Sequence, residues 1–357
     1  MNQASGNKTE FRAIGLMSGT SLDGLDLAAC IFNRGNGAWN FSVEHATTLP
    51  YTPEWESALA DAQLLGGEQL LILHSGYGKL LAEKILGFIE KTGFQPDLIA
   101  SHGHTIFHQP GRGITFQLGN GAVIAALTNI PTVADFRITD VALGGQGAPL
   151  VPAGDRLLFA GYDYCLNLGG FSNISMTTGG TLIAFDICPV NFALNYLARK
   201  QGNPCDLDGN TGRSGKLIEP LLEKLGHLDF YRMDYPKSLA REWMEERFFP
   251  CLESGDYALP DLLRTVYEHI GIQIGRYLDK SGKVLVTGGG AFNKFLIERI
   301  REHSNATIML PDKLIINYKE ALIFAFLGVL KVLGEVNCFA SVTGARRDSC
   351  CGIIFNP

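Results

Sequence analysis

The stretch Ala13–Ile31, AIGLMSGTSLDGLDLAACI, decides the fold. Ile14 and Leu16 lead into Ser18-Gly19-Thr20-Ser21, and a second apolar run, Leu25–Phe32, leads out. Two strands joined by a small-residue turn carry this pattern. Glycine and hydroxyl residues at the bend let backbone N–H groups approach a polyphosphate with no Cβ bulk in the way. Asp23 and Asp26 lie just past the bend, where a carboxylate could hold Mg²⁺ or its waters beside those phosphates. A plain hairpin whose polar residues face water has the same pattern, and this stretch alone leaves both readings open.

The rest of the chain narrows the class. At 357 residues it exceeds what one core usually supports, so two domains are expected. Its 46% hydrophobic and 18% charged residues read as a soluble globular protein. A net charge of −6 without a basic run argues against a nucleic-acid partner. The polar first ten residues carry no signal-peptide core, and the longest apolar stretches, such as Ala321–Leu330, are too short to span a bilayer. Eight cysteines occur without a CxxC pair, which disfavours zinc and fits reduced thiols in a cytoplasm.

Phe41–Leu49 reads as a third strand of a meander, followed by helices over Pro53–Leu64 and Gln69–Lys91, the second closed by Gly93. Asp97–Ser101 reads as a short buried strand ending in SHGHTIFHQP, and side chains for chemistry often sit at such a carboxyl end. His102, His104 and His108 lack a persuasive third metal ligand, so His104 and Thr105 read better as polar substrate contacts. A structural histidine bonded to a backbone carbonyl is the competing reading. After the strand Pro131–Ala134, Asp135 and Arg137 are spaced to project to one side. Arg137 could fork onto a ligand carboxylate, or pair internally with Asp135.

A helix over Leu150–Phe159 precedes a second glycine hairpin, YCLNLGGFSNIS from Tyr164 to Ser175, which repeats the design of the first. The next strand, Leu182–Ile187, ends at Asp186 before Pro189 and a helix from Asn191, which suits a general base at a cleft. Helices are expected over Ser214–Gly226, Lys237–Leu252 and Asp261–Ser281. KVLVTGGGAF, Lys283–Phe292, then runs a strand into Gly288, Gly289 and Gly290, where a base or sugar phosphate could lie against the backbone. The helix Ala321–Leu333 is apolar on every face and is expected to be buried.

In order along nearly the whole chain, GLMSGTSLDGLD, SHGHT, FQLGNG, VADFR, NLGGFSNIS, FDICPVN, VTGGGAFN and KEALIFAFLGV resemble the anhydro-N-acetylmuramic acid kinases of the sugar kinase/actin/heat-shock-chaperone ATPase superfamily. Asn317-Tyr318 before KEA departs from a pattern that often carries an acidic or small residue. The resemblance implies an α/β, two-domain actin-like ATPase (ribonuclease H-like) fold with an inter-domain active-site cleft. The expected domains are 1–137 plus 325–357, and 138–324.

It also implies ATP and Mg²⁺, and a reaction that opens the 1,6-anhydro ring of 1,6-anhydro-N-acetylmuramic acid with water and phosphorylates O6, within cell-wall recycling and amino-sugar catabolism. Asp186 would be the base; Glu320, in the matching KEA motif, would orient the water or Asp186, or serve as a buried structural carboxylate. Gly19, Thr20, Ser21, Leu22, Asp23, Gly24, Leu25 and Asp26 match the ATP-binding stretch, with Gly169, Gly170 and Gly288–Gly290 on the nucleotide's other sides. His104, Thr105, Asp135 and Arg137 would contact the sugar, and Asp23 and Asp26 the metal. A homodimer is expected. The rival readings are an ordinary sugar kinase of this fold and a chaperone-like ATPase.

Overall fold

The opening hairpin forms as expected. β1 (Glu10–Ser18) and β2 (Leu25–Gly35) pair antiparallel from Glu10↔Asn33 to Ser18↔Leu25, and β3 (Ala38–Leu49) completes the meander. The computed structural model describes residues 8–19, 22, 24–35 and 37–357, so the expectations for Thr20, Ser21 and Asp23 lie outside the described residues.

Beyond the meander, β4 (Leu98–Gln109) lies parallel to β1, and β6 (Thr132–Ala134) lies parallel to β4. β12 (Ile353–Phe355) closes the sheet antiparallel to β6, and β5 (Ile114–Leu118) pairs with the far half of β4. A second sheet repeats the plan. β7 (Tyr164–Leu168), β8 (Phe171–Thr178) and β9 (Thr181–Pro189) form an antiparallel meander. β10 (Lys283–Thr287) and β11 (Thr307–Met309) extend it in parallel from β7. The orders β3-β2-β1-β4-β6 and β9-β8-β7-β10-β11 are therefore the same topology used twice, the ribonuclease H-like arrangement.

The contacts divide the chain into one unit ending at Leu158 and resuming at Tyr318–Pro357, and another over Phe159–Asn317. This places 138–158 and 318–324 with the first unit, whereas the division expected from sequence has them in the second. Buried polar bonding explains part of the difference. Asp140 accepts hydrogen bonds from Thr343 Oγ1 at 2.7 Å, Cys338 Sγ at 3.2 Å and Gly147 N at 2.7 Å. Packing explains the rest: a Cβ on Gly154, in the helix Val151–Leu158, would lie 2.5 Å from Ile323.

Each unit has its own core. In the first, Ala321–Leu327 are essentially inaccessible, as the all-round apolar pattern predicts. β1 crosses this helix so closely that a Cβ on Gly15 would lie 1.8 Å from Ala321 O, which only glycine allows. The second core gathers β7–β10 side chains against Leu263, Val266, Tyr267 and Ile270 of the helix Leu259–Gly275.

Three expectations are corrected. The strand expected to stop at Ser101 runs to Gln109, because β5 offers a second partner from His104↔Leu118 onward. Helix over Ser214–Gly226 is confined to Glu219–Gly226 beyond a short turn at Asn210–Ser214. Lys216 N and Ile218 N donate instead to Asp261 Oδ1 and Thr265 Oγ1, so the intervening chain stays non-helical. Lys237–Ala240 is likewise non-helical, since Lys237 O and Leu239 N are bonded to Asp186.

Candidate active site

In the second unit, Asp186 lies on β9, half-buried, where β8 pairing shifts register between Ser172 and Asn173. Its backbone N–H donates to Lys237 O at 3.1 Å, and its carboxylate Oδ2 accepts from Leu239 N at 2.8 Å. The loop thus grips both ends of the residue. Burial raises the carboxyl's pKa to about 6, opposed by the Leu239 N–H, which favours the ionised form. A carboxylate that titrates this near neutrality is suited to taking a proton.

The three glycines after β10 are not equivalent. Gly288 has φ +81°, and a Cβ there would lie 2.5 Å from Asn167 Oδ1. One on Gly290 would lie 2.7 Å from Leu168 Cβ, so packing within the unit demands both glycines. A Cβ on Gly289 would meet only Asn191 Nδ2, at 3.7 Å. Gly289 also borders a pocket of about 160 Å³ with Asn191, Asp206, Tyr267, Phe292 and Asn293. Its walls are fixed by a hydrogen-bond set: Asp206 accepts from Thr211 N, Gly212 N and Tyr267 OH, and Asn293 Nδ2 donates to Tyr267 OH at 2.8 Å. Sequence pattern alone does not single out Asp206, Tyr267 or Asn293 as site residues, because they come from three separate segments of the chain. In the second hairpin, Gly169 O and Gly170 O accept the first N–H groups of the helix Asn191–Arg199, and a Cβ on Gly170 would strike the Phe192 ring.

In the first unit the glycine hairpin and the SHGHT strand meet. Ser18 Oγ bonds to His104 Nδ1 at 2.8 Å and to Tyr51 OH at 2.7 Å, and Tyr51 OH bonds to Tyr77 OH at 2.6 Å. This buried relay ties the residue before Gly19 to His104, whose burial holds its pKa below the usual value and keeps it neutral. Thr105 Oγ1 accepts from Gln117 Nε2 at 3.4 Å. Asp26, on β2, accepts from Thr48 Oγ1 at 2.6 Å.

Arg137 donates to His102 Nε2 and, at 2.7 Å, to Gly147 O. No ion pair joins it to Asp135 among the described residues, so the internal Asp–Arg pair does not form. Asp135 instead sits at φ +55°, rare for a residue with a Cβ, and burial raises its pKa. Near Arg137, water reaches Glu320 although protein surrounds it closely; burial raises its pKa, and Lys319 and Arg137 oppose the rise. Lys319 is itself buried against Asp155 at 2.7 Å. The three histidines form no metal cluster: among the described residues no group of three or more His, Cys, Asp or Glu could hold a metal ion.

The family model described as anhydro-N-acetylmuramic acid kinase matches residues 11–357. Among similar proteins, the anhydro-N-acetylmuramic acid kinase of Aliivibrio fischeri is 35% identical, covering 96% of this chain and 98% of its own. That of Nitrosomonas europaea is 34% identical, covering 96% and 99%. Solved structures that align include an activator of 2-hydroxyisocaproyl-CoA dehydratase from Clostridium difficile (12% identity, TM-score 0.42, 90% of this chain and 97% of that one). A ROK family glucokinase from Streptomyces griseus aligns at 11% identity and TM-score 0.40, covering 88% and 98%. No helix of the described residues is long and apolar enough to cross a membrane.

Proposed function

Because the chain belongs to the anhydro-N-acetylmuramic acid kinase family, we infer that it uses ATP and water to convert 1,6-anhydro-N-acetylmuramic acid to N-acetylmuramate 6-phosphate and ADP, with Asp186 as the base. The observation that carries the assignment is the setting of Asp186, gripped by Lys237 O and Leu239 N with its pKa raised to about 6. The carboxylate takes a proton from water as the water's oxygen attacks the anomeric carbon. The C1–O6 bond breaks through an oxocarbenium-like state, as in glycoside hydrolysis, and O6 takes up the γ-phosphoryl group.

The remaining roles are proposed on the same footing. The Gly19–Asp26 turn would receive the phosphates, and Gly288–Gly290 with the Asn191–Asn293 pocket would receive the adenosine. His104, Thr105 and Asp135 would contact the sugar. Arg137 would face its lactyl carboxylate, for which a planar guanidinium is well suited. Glu320 would orient water. Mg²⁺ would supply charge neutralisation at the phosphates. Asp26 is a hard carboxylate donor of the kind that ion takes, already oriented by Thr48. The proposed setting is cytoplasmic amino-sugar recycling, with no nucleic-acid partner.

Turnover in ¹⁸O-labelled water tests the reading. Hydrolytic opening puts solvent oxygen at C1 of the phosphorylated product. An ordinary sugar kinase, with Asp186 deprotonating a free hydroxyl, would incorporate none and would leave the anhydro sugar untouched.

A further inference from the structure

Lys237 is a buried cation, 7% exposed, with no carboxylate partner among the described residues. Water holds an ammonium strongly, so burying one is costly unless the protein supplies substitutes for that water. Two segments supply them. Nζ donates to Phe230 O at 3.3 Å, and it stands 4.7 Å from the centre of the Phe230 ring and 5.7 Å from that of Tyr277. Both rings are within cation–π reach, and that attraction is larger away from water. Phe230 belongs to the short turn Asp229–Arg232, and Tyr277 lies just past the helix Leu259–Gly275.

The backbone of the same residue meets Asp186. Lys237 O accepts the Asp186 N–H, and Leu239 N donates to the Asp186 carboxylate. Tyr277 closes the circuit, because its ring also meets Phe185, the residue before Asp186, edge-on at 4.8 Å. Burial and the Leu239 N–H set the Asp186 pKa, and the ammonium is not among the causes. Its effect on the carboxylate therefore passes through the chain that it anchors. That chain has no other regular support, since Lys237–Ala240 forms neither helix nor strand.

We propose that Lys237 is a positioning residue, whose ammonium, seated between Phe230 O and two aromatic faces, holds the Lys237–Leu239 backbone against Asp186 and so aims its carboxylate. The inference rests on Asp186 being the base. It adds the device by which a loop without secondary structure keeps that base in line.

Lys237→Met tests it, because methionine keeps the length and the apolar stem and removes the charge. Exchanging a buried charge for an apolar side chain of similar volume should leave the melting temperature near wild type or above it. Amide hydrogen exchange, read by mass spectrometry on the peptide that holds Leu239, should nonetheless quicken by about tenfold, with the helix Leu259–Gly275 unchanged. In the same sample kcat should fall by about tenfold or more, while KM for the anhydro sugar and for ATP moves by less than about twofold. Phe230→Leu removes one ring face and leaves Lys237 in place. It should give smaller changes in the same direction, and it carries the test if Lys237→Met does not fold. Wild-type exchange at Leu239 in the folded variants would overturn the proposal, whatever kcat does. Faster exchange with kcat intact would overturn it as well, and would place the fault in the reading of Asp186 as base rather than in the anchor.

Discussion

Two N–H groups of Arg137, Nε and Nη2, donate to one acceptor, His102 Nε2, at 3.0 and 2.8 Å. The opposite ring nitrogen, Nδ1, lies 2.8 Å from Gly103 O, which fixes the proton there and leaves Nε2 with its lone pair. Burial and the adjoining guanidinium hold the His102 pKa well below its usual value, so the ring stays neutral and able to accept. Burial also brings Arg137 down to about 10, still a cation at neutral pH. His102 therefore positions Arg137 rather than competing with it for charge.

His102→Phe keeps a ring against Phe324 but removes the acceptor. Leaving the buried donors unpaired should cost about 1–3 kcal/mol of stability. If Arg137 holds the substrate carboxylate, KM for the anhydro sugar should rise about tenfold with a smaller change in kcat. A thermal melt and steady-state kinetics on the same sample separate the two effects. An unchanged KM would leave His102 a purely structural residue.

The glycine run predicts two different phenotypes. Gly289→Val should fold, because the space around that Cα is open, yet it should lose nucleotide affinity by tenfold or more, about 1.4 kcal/mol. Gly288→Ala should instead lower the melting temperature, since its φ of +81° and the Asn167 contact exclude a side chain. Calorimetric titration of ATP into each folded variant is the check. Tight binding by Gly289→Val would move the adenosine site elsewhere.

Asp140 is the strongest stability candidate. Asp140→Ala strands the Thr343 hydroxyl, the Cys338 thiol and the Gly147 N–H, all bonded to its carboxylate. At roughly 1 kcal/mol or more for each unmet group, the loss should be about 3 kcal/mol, read by urea denaturation. Because the loop holding Gly147 also receives Arg137, the folded fraction should show a raised KM as well.

Elements with strong periodicity or glycine punctuation are legible in the sequence. Both hairpins, the helix ended by left-handed Gly93 and the buried helix around Ala321–Leu330 follow from local pattern alone. What the sequence hid is bonding between distant segments. Lys237–Leu239 reads as helix, and only the Asp186 groups 51–53 positions earlier explain why it is not. The Ser18–His104 and Arg137–His102 pairs likewise join residues 86 and 35 positions apart. SHGHT drew attention to the right residues, yet no spacing rule assigns His102 to Arg137 and His104 to Ser18. The domain division moved for the same reason, because Asp140 finds its partners some two hundred residues further on.

Asp186 links stability to catalysis with a definite sign. Its folded-state pKa of about 6 stands above the ordinary 3.8, so between those values the folded protein binds the extra proton. Stability from this group is fully present below about pH 3.8 and is lost as pH rises through 6, on the order of 2–3 kcal/mol. Activity should run the other way. kcat/KM should climb about tenfold per pH unit below 6 and level off above it, as the carboxylate becomes able to accept a proton. Asp186→Asn removes that acceptor while its amide oxygen can still receive the Leu239 N–H. The variant should therefore lose turnover by at least ~10²-fold, keep ATP binding, and melt no lower than wild type at pH 8. A merely structural carboxylate gives the reverse, a lower melting temperature with activity retained in the folded fraction. An Asp186→Asn enzyme that melts normally and opens the anhydro sugar at near wild-type rate would remove Asp186 from the chemistry and leave Glu320 as the base to test.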